Sequence, residues 1–280
     1  MFASIGDSML SRGMDDIDVA QLAKAKGMRG IVLKNHVATT ADRAALVMKV
    51  VPGIEVFGGI VLNKAVGGVN PDAVEWMHRM SGGRGKVVWL PTFDSDKHVK
   101  TLVDKNKSGI VVAPGGKTTP EMDEVLKIVA RENLILATGH VHAEEVVAVA
   151  RRAKELGVKN ILVTHGLTNI PGLTIAQAKE VAALGGMIEI CYLQFMTGPT
   201  AQYQWMTHWD RVDAKAVAQA VKDIGADHLV LSTDLGQQGM MTPPDGVENQ
   251  VAAVRAAGVS QADIDKMMKR NPARLLGLAD

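Results

Sequence analysis

The stretch from Asn133 to Gly166 constrains the chain most, because it reads as strand, helix, strand with a histidine at the end of each strand. Leu-Ile-Leu-Ala-Thr-Gly runs into His140, and Ile-Leu-Val-Thr runs into His165. Between them a helical pattern begins near Ala143 and stops at Gly157. Apolar, β-branched runs joined by a helix are the signature of neighbouring parallel strands. Two such strands delivering histidines at their carboxyl ends place both residues at the same end of one sheet.

The same unit recurs. Further strands are predicted at Gly30–His36, Phe57–Asn63, Lys86–Asp94, Gly186–Tyr192 and His228–Asp234, with a short apolar run at Gly109–Ala113. Their ends return about every 25–30 residues, the length of one strand-helix unit. Helix starts are written in the intervening segments: Asp15 or Asp16, Asn70-Pro71, Thr119-Pro120, Thr174 and Ser260 are capping residues, two of them followed by a first-turn proline. No Gly-x-Gly-x-x-Gly follows a strand and no phosphate loop is present, which argues against a doubly wound sheet. The expectation is an α/β fold, a (β/α)8 TIM barrel forming one domain over residues 1–280. Two strand counts reach eight. Either Met1–Ile5 is a truncated first strand and Gly109–Ala113 an excursion, or Gly109–Ala113 is the fourth strand. In both, the histidine strands are fifth and sixth, and the strand ending at Asp234 is eighth.

Composition narrows the function classes. Lys and Arg number 31 against 30 Asp and Glu, leaving no charge surplus for nucleic acid or a membrane surface. No apolar run approaches the ~18 residues of a membrane span, and the start lacks a signal-peptide pattern. The one cysteine, Cys191, excludes an internal disulfide and suits a reducing compartment, so a cytoplasmic protein is expected.

Barrel enzymes work at the carboxyl ends of their strands. Those ends carry Lys34, Asn35, His36, Asn63, Lys64, Thr92, Asp94, His140, His142, His165, Glu189, Tyr192 and Asp234. Alternation puts Lys34 with His36, Thr138 with His140 and His142, Val163 with His165, and Ser232 with Asp234 on common faces. Histidines converging with a carboxylate suit a catalytic divalent ion. Asp234 is the candidate proton acceptor, and Lys34 would neutralise a substrate carboxylate or a developing oxyanion. Asn63, Lys64, Glu189 and Tyr192 are candidate substrate contacts. Taken alone, a strand-end histidine is more often structural. His142 reads as a helix cap, and His78, His98, His208 and His228 read as surface groups. Glu189 must be paired if buried, and Cys191 lacks an obvious base that would make it a nucleophile. The aromatic segment Tyr192–Trp209 is too long for a plain turn and fits a lid or a subunit interface.

The ordered set Met28-Arg-Gly-Ile-Val-Leu-Lys-Asn-His36, Gly59-Ile-Val-Leu-Asn63, Ala137-Thr-Gly-His140, Val163-Thr-His165 and Ser232-Thr-Asp-Leu235, with the tail Asn271-Pro-Ala-Arg-Leu-Leu-Gly-Leu, resembles the amidohydrolase superfamily, in an uncharacterised group of metal-dependent hydrolases. The resemblance implies a metal-bearing barrel that activates water. It makes His140 and His165 the fifth- and sixth-strand ligands and Asp234 the eighth-strand aspartate, with His36 joining the set. Such proteins carry His-x-His on the first strand; here Phe2 falls at the second of those positions and no histidine precedes His36. One divalent metal follows, zinc first, with manganese, iron and nickel as alternatives. The implied activity is hydrolysis of an amide, lactone or ester of a small organic substrate. A decarboxylase or hydratase on the same fold is the alternative, as is a non-catalytic binding barrel without first-strand ligands. A homo-oligomer is expected.

Overall fold

A computed structural model describes residues 11–278. Seven strands form one wholly parallel sheet in chain order: β1 (Gly30–Val32), β2 (Glu55–Val61), β3 (Gly85–Trp89), β4 (Ile135–Ala137), β5 (Asn160–Val163), β6 (Met187–Cys191) and β7 (Leu229–Ser232). The sheet curls far enough that Lys34, just past β1, meets Asp234, just past β7, at 3.7 Å. In the register of β3 and β4, Trp89 pairs directly with Ala137. That rules out Gly109–Ala113 as a fourth strand between them; the segment contributes only an isolated bridge from Ile110 to Ser95. The other count, which draws its first strand from Met1–Ile5, falls outside the described residues.

Helices α1 (Asp16–Ala25), α2 (Ala41–Val50), α3 (Pro71–Arg79), α5 (Pro120–Arg131), α6 (Ala143–Glu155), α7 (Ile175–Ala183), α8 (Ala214–Ile224) and α9 (Pro243–Ala256) alternate with the strands. A single turn, α4 (Asp96–His98), follows β3, and α10 (Gln261–Asp265) and α11 (Asn271–Leu276) close the chain. The capping residues act as the sequence implies. Asp15 accepts from Asp18 N, Asn70 from Ala73 N, Thr119 from Met122 N, Thr174 from Gln177 N and Ser260 from Asp263 N. Each satisfies a first-turn amide that the helix itself leaves open. None of the described helices is long and apolar enough to cross a membrane.

Strand alternation splits the core in two. Outward-facing Ile60, Leu62, Val88, Leu90, Leu136, Ile161, Val163, Ile188, Ile190, Leu229 and Leu231 pack against the helices. Inward-facing Val61, Val87, Trp89, Ile135, Ala137, Leu162, Met187 and Val230 fill the lower interior, with Leu275 of α11 as a plug. Asn271 fixes that plug: its side-chain amide donates to the carbonyls of Ala226 at 2.8 Å and Leu229 at 2.7 Å. The tail motif therefore has a structural task at the end of the barrel away from the histidines.

Candidate active site

Above this apolar floor the inward positions turn polar. Lys34, His36, Phe93, His98, Leu102, His140, His165, Leu193, Trp205, His208, Trp209, Asp234 and Gln237 line a cavity of about 210 Å³. It lies beyond the carboxyl ends of the strands, as the barrel architecture requires.

Two ligand candidates sit in backbone that has left strand geometry. Val163 faces the outer core, so simple alternation would send His165 outward as well. The expectation that the two share a face is wrong, because His165 takes a left-handed backbone (φ 55°) that turns its ring inward. Asp234 is likewise left-handed (φ 52°). Such conformations cost non-glycine residues of order 1 kcal/mol or more and concentrate at functional sites. Before His140 the turn is made by Gly139 (φ 59°), where a Cβ would lie 2.2 Å from the Leu90 carbonyl oxygen. Only glycine fits.

The centre of the site is ionic. Asp234 sits 3.7 Å from Lys34 Nζ through one oxygen and 3.5 Å from His165 Nε2 through the other. Burial alone would raise the Asp234 carboxyl, but Lys34 and His165 outweigh it and hold it below its ordinary value. Burial drives His165 down to about 4, against the pull of Asp234, so its ring is neutral at pH 7. Cys191 joins them. Ligand atoms of His165, Cys191 and Asp234 all lie within 4.8 Å of one another, a spacing one cation can bridge. Burial, then the carboxylates of Glu189 and Asp234, push the Cys191 thiol well up. Glu189 is raised by burial and by Asp234, and it accepts a 2.8 Å bond from Ser232 Oγ.

His36 and His140 line the same cavity but fall outside that 4.8 Å grouping. His36 Nδ1 lies 2.9 Å from Thr92 Oγ1. His140 stands with its ring centroid 5.2 Å from that of His165. Burial lowers both well below the ordinary histidine value. Among the described residues, the buried His140 Nε2 and His165 Nδ1 have no hydrogen-bond partner. Unsatisfied buried nitrogens are costly, and a pair on adjacent strands asks for a ligand.

The expected substrate contacts divide. Lys34 and Glu189 face the barrel interior beside Asp234. Asn63 is occupied in holding the β3 end: it accepts from Thr92 N at 2.8 Å and donates to Thr92 Oγ1 and to the His36 carbonyl. Lys64 is largely exposed, 4.0 Å from Asp94. Tyr192 stacks on Phe195, with ring centroids 5.2 Å apart, and packs with Met206 and Leu235. None of these last three lines the cavity.

His142 precedes α6 as its cap residue, and its ring Nε2 lies 2.9 Å from Asp96. His78 pairs with Glu132 and His228 bonds the Gly186 carbonyl, both half-buried, while His208 is exposed at the rim. His98 is the correction: expected at the surface, it is 8% exposed and lies 2.9 Å, Nδ1 to Nδ1, from His140. Its only local signal was the Ser95 cap, which holds the turn carrying it. The aromatic segment after β6 supplies the roof: Trp209 sets its ring edge-on to His98, His140 and His165 at 6.3, 5.3 and 5.2 Å.

The fold has counterparts among solved structures. An organophosphorus hydrolase from Deinococcus radiodurans aligns over 93% of this chain and 82% of its own, at TM-score 0.62 and 17% identity. A multiply substituted PTE-like lactonase from the same organism aligns over 93% and 85%, at TM-score 0.64 and 16% identity. At such identities the likeness establishes the shared fold. No curated protein matches. One family model does, described as a family of unknown function (DUF6282), and it spans residues 4–189. With well over half its length matched, the chain belongs to that family.

Proposed function

We propose that this protein is a metal-dependent hydrolase of the amidohydrolase superfamily, cleaving an ester or lactone of a small organic molecule. The observation that carries the reading is the convergence of His165, Cys191 and Asp234 beside two buried, unpartnered ring nitrogens. The stranded nitrogens and the mixed nitrogen, sulfur and oxygen donors fit a divalent ion such as zinc. His165, Cys191 and Asp234 would hold it, with His140 and His36 as the further candidates in the same wall. Bound there, such an ion supplies Lewis acidity toward water and an acyl carbonyl. Support for hydrolysis comes also from the names of the solved structures that share the fold, a hydrolase and a lactonase.

The chain's own groups supply the rest. Asp234, kept ionised by Lys34, accepts a proton from the attacking water. The Lys34 ammonium, 5% exposed and over the Trp89 ring at 5.6 Å, offers its charge to the oxyanion that develops on the acyl group. Trp205, Trp209, Leu193 and Leu102 give the substrate an apolar wall and keep bulk water from the carboxylate. A purely binding role is disfavoured because it leaves the strained backbone at His165 and Asp234 and the stranded nitrogens without a purpose.

The test is metal analysis of protein purified without chelator, with rates on a panel of lactones and aryl esters for the native protein and His165→Ala. About one equivalent of metal, and turnover abolished by the substitution, is the expected result. Metal-free protein with undiminished turnover overturns it.

A further inference from the structure

His98 belongs to no ligand set or substrate contact considered so far, yet it is built into the site. Ser95 ties it to His140 through the backbone: the Ser95 hydroxyl donates to the His140 carbonyl at 2.7 Å and accepts from His98 N at 3.1 Å. Two residues further on, His142 Nε2 meets Asp96 at 2.9 Å, so α4 is zipped against the loop after β4. The two imidazoles are tilted only 17° from one another and meet edge to edge, with ring centroids 5.0 Å and Nδ1 atoms 2.9 Å apart. Phe93 and Trp209 enclose them.

A hydrogen bond between two Nδ1 atoms requires one proton between them, neither two nor none. Among the described residues no carboxylate bonds either ring, and both rings are buried where nothing solvates a charge, so both are neutral. Two neutral rings carry one N–H each. One ring must therefore be protonated at Nδ1 and the other at Nε2. The surroundings choose. His140 Nε2 is buried with no partner, whereas His98 Nε2 is not among the stranded atoms. A stranded N–H is rarer in proteins than a stranded lone pair, so the dry nitrogen of His140 takes the lone pair and the accessible nitrogen of His98 takes the hydrogen.

We propose that His98 is the positioning residue that fixes the tautomer of His140, accepting its Nδ1–H so that Nε2 is presented to the cavity as an unprotonated donor atom. The tautomer itself follows from the pair alone. Its consequence for metal binding rests on the function proposed above. Partners of this kind fix ring orientation and change metal affinity by about 10–100-fold.

Nitrogen-15 NMR on histidine-labelled, metal-free protein reads the tautomers directly, with His98→Phe and His140→Gln used to assign the signals. Expected are His140 protonated at Nδ1 and His98 at Nε2. In His98→Phe, which keeps the aromatic packing but removes the acceptor, the His140 Nδ1–H signature is lost, while His98→Gln restores it through its amide oxygen. Zinc titrations should then show affinity about 10–100-fold weaker for His98→Phe and near native for His98→Gln. A His140 ring protonated at Nε2 in the native protein, or an unchanged tautomer in a folded His98→Phe, overturns the proposal. Absence of zinc binding by native protein whose tautomers are as stated would instead overturn the metal reading alone.

Discussion

The lower and upper halves of the barrel are made by the same strands under opposite demands. Below, Val61, Val87, Ile135, Leu162, Met187 and Val230 interdigitate in regular strand geometry. Above, the next inward positions hold Lys34, His36, His140, His165 and Asp234, two of them in left-handed backbone and two with stranded nitrogens. Apolar burial in the floor stabilises at roughly 25 cal/mol per Å², whereas every buried charge or unpaired nitrogen of the rim costs stability. The rim persists because the floor and the outer shell hold its ends in place. It is therefore the half whose residues answer to function.

Four experiments bear on this division, the strongest first. Asp234→Asn keeps shape but removes the charge that faces both Lys34 and His165. Hydrolysis should fall by about 10²–10⁴-fold, the usual worth of a positioned base, while circular dichroism shows the fold retained. Activity within about threefold of native would detach Asp234 from the chemistry. Next is the outer shell: Leu136→Ala, at a fully buried position, should cost about 2–5 kcal/mol in urea unfolding and leave metal content per folded molecule unchanged. A third sits at the junction of the two halves. Gly139→Ala forces a Cβ against the Leu90 carbonyl oxygen in left-handed backbone. We expect a stability loss of about 1–3 kcal/mol together with a loss of zinc affinity, since the turn aims His140. A stability loss with unchanged affinity would confine Gly139 to the fold.

The last experiment concerns pH. His98 and His165 sit at about 4 in the folded protein against an ordinary value of 6.5. Below 6.5 the unfolded chain binds protons that the folded one refuses. Stability is thus full above 6.5 and declines as pH falls toward 4, by about 1.4 kcal/mol per pH unit per histidine at most. The urea midpoint of metal-free protein should drop between pH 7.5 and pH 5. His165→Phe should flatten the drop, and a floor substitution should leave its slope unchanged.

Much of the candidate site is legible in the sequence. Lys34 and Asp234 stand at the ends of apolar runs whose alternation points them inward, and the structure joins them across the curl of the sheet at 3.7 Å. His140 and His165 also follow strand ends, but backbone turns at Gly139 and His165, not alternation, aim their rings. Alternation failed two residues past the strand, where the left-handed backbone at His165 reverses the face it would share with Val163. It could not show Asn63 spending its amide on the turn after β3, because that bond closes a loop rather than a ladder. Cys191 has no base that would make it a nucleophile, and it becomes a candidate donor atom once β6 and β7 lie side by side.

The sequence by itself determined the periodic part: parallel strands, capped helices, an apolar floor and the end of the barrel that carries polar groups. These follow from local propensity and from side-chain spacings of two and 3.6 residues. The tertiary structure alone decided which of those polar groups meet. His98 is buried because Phe93, Trp209 and His140 close around it from separate parts of the chain. Such an enclosure has no period to read.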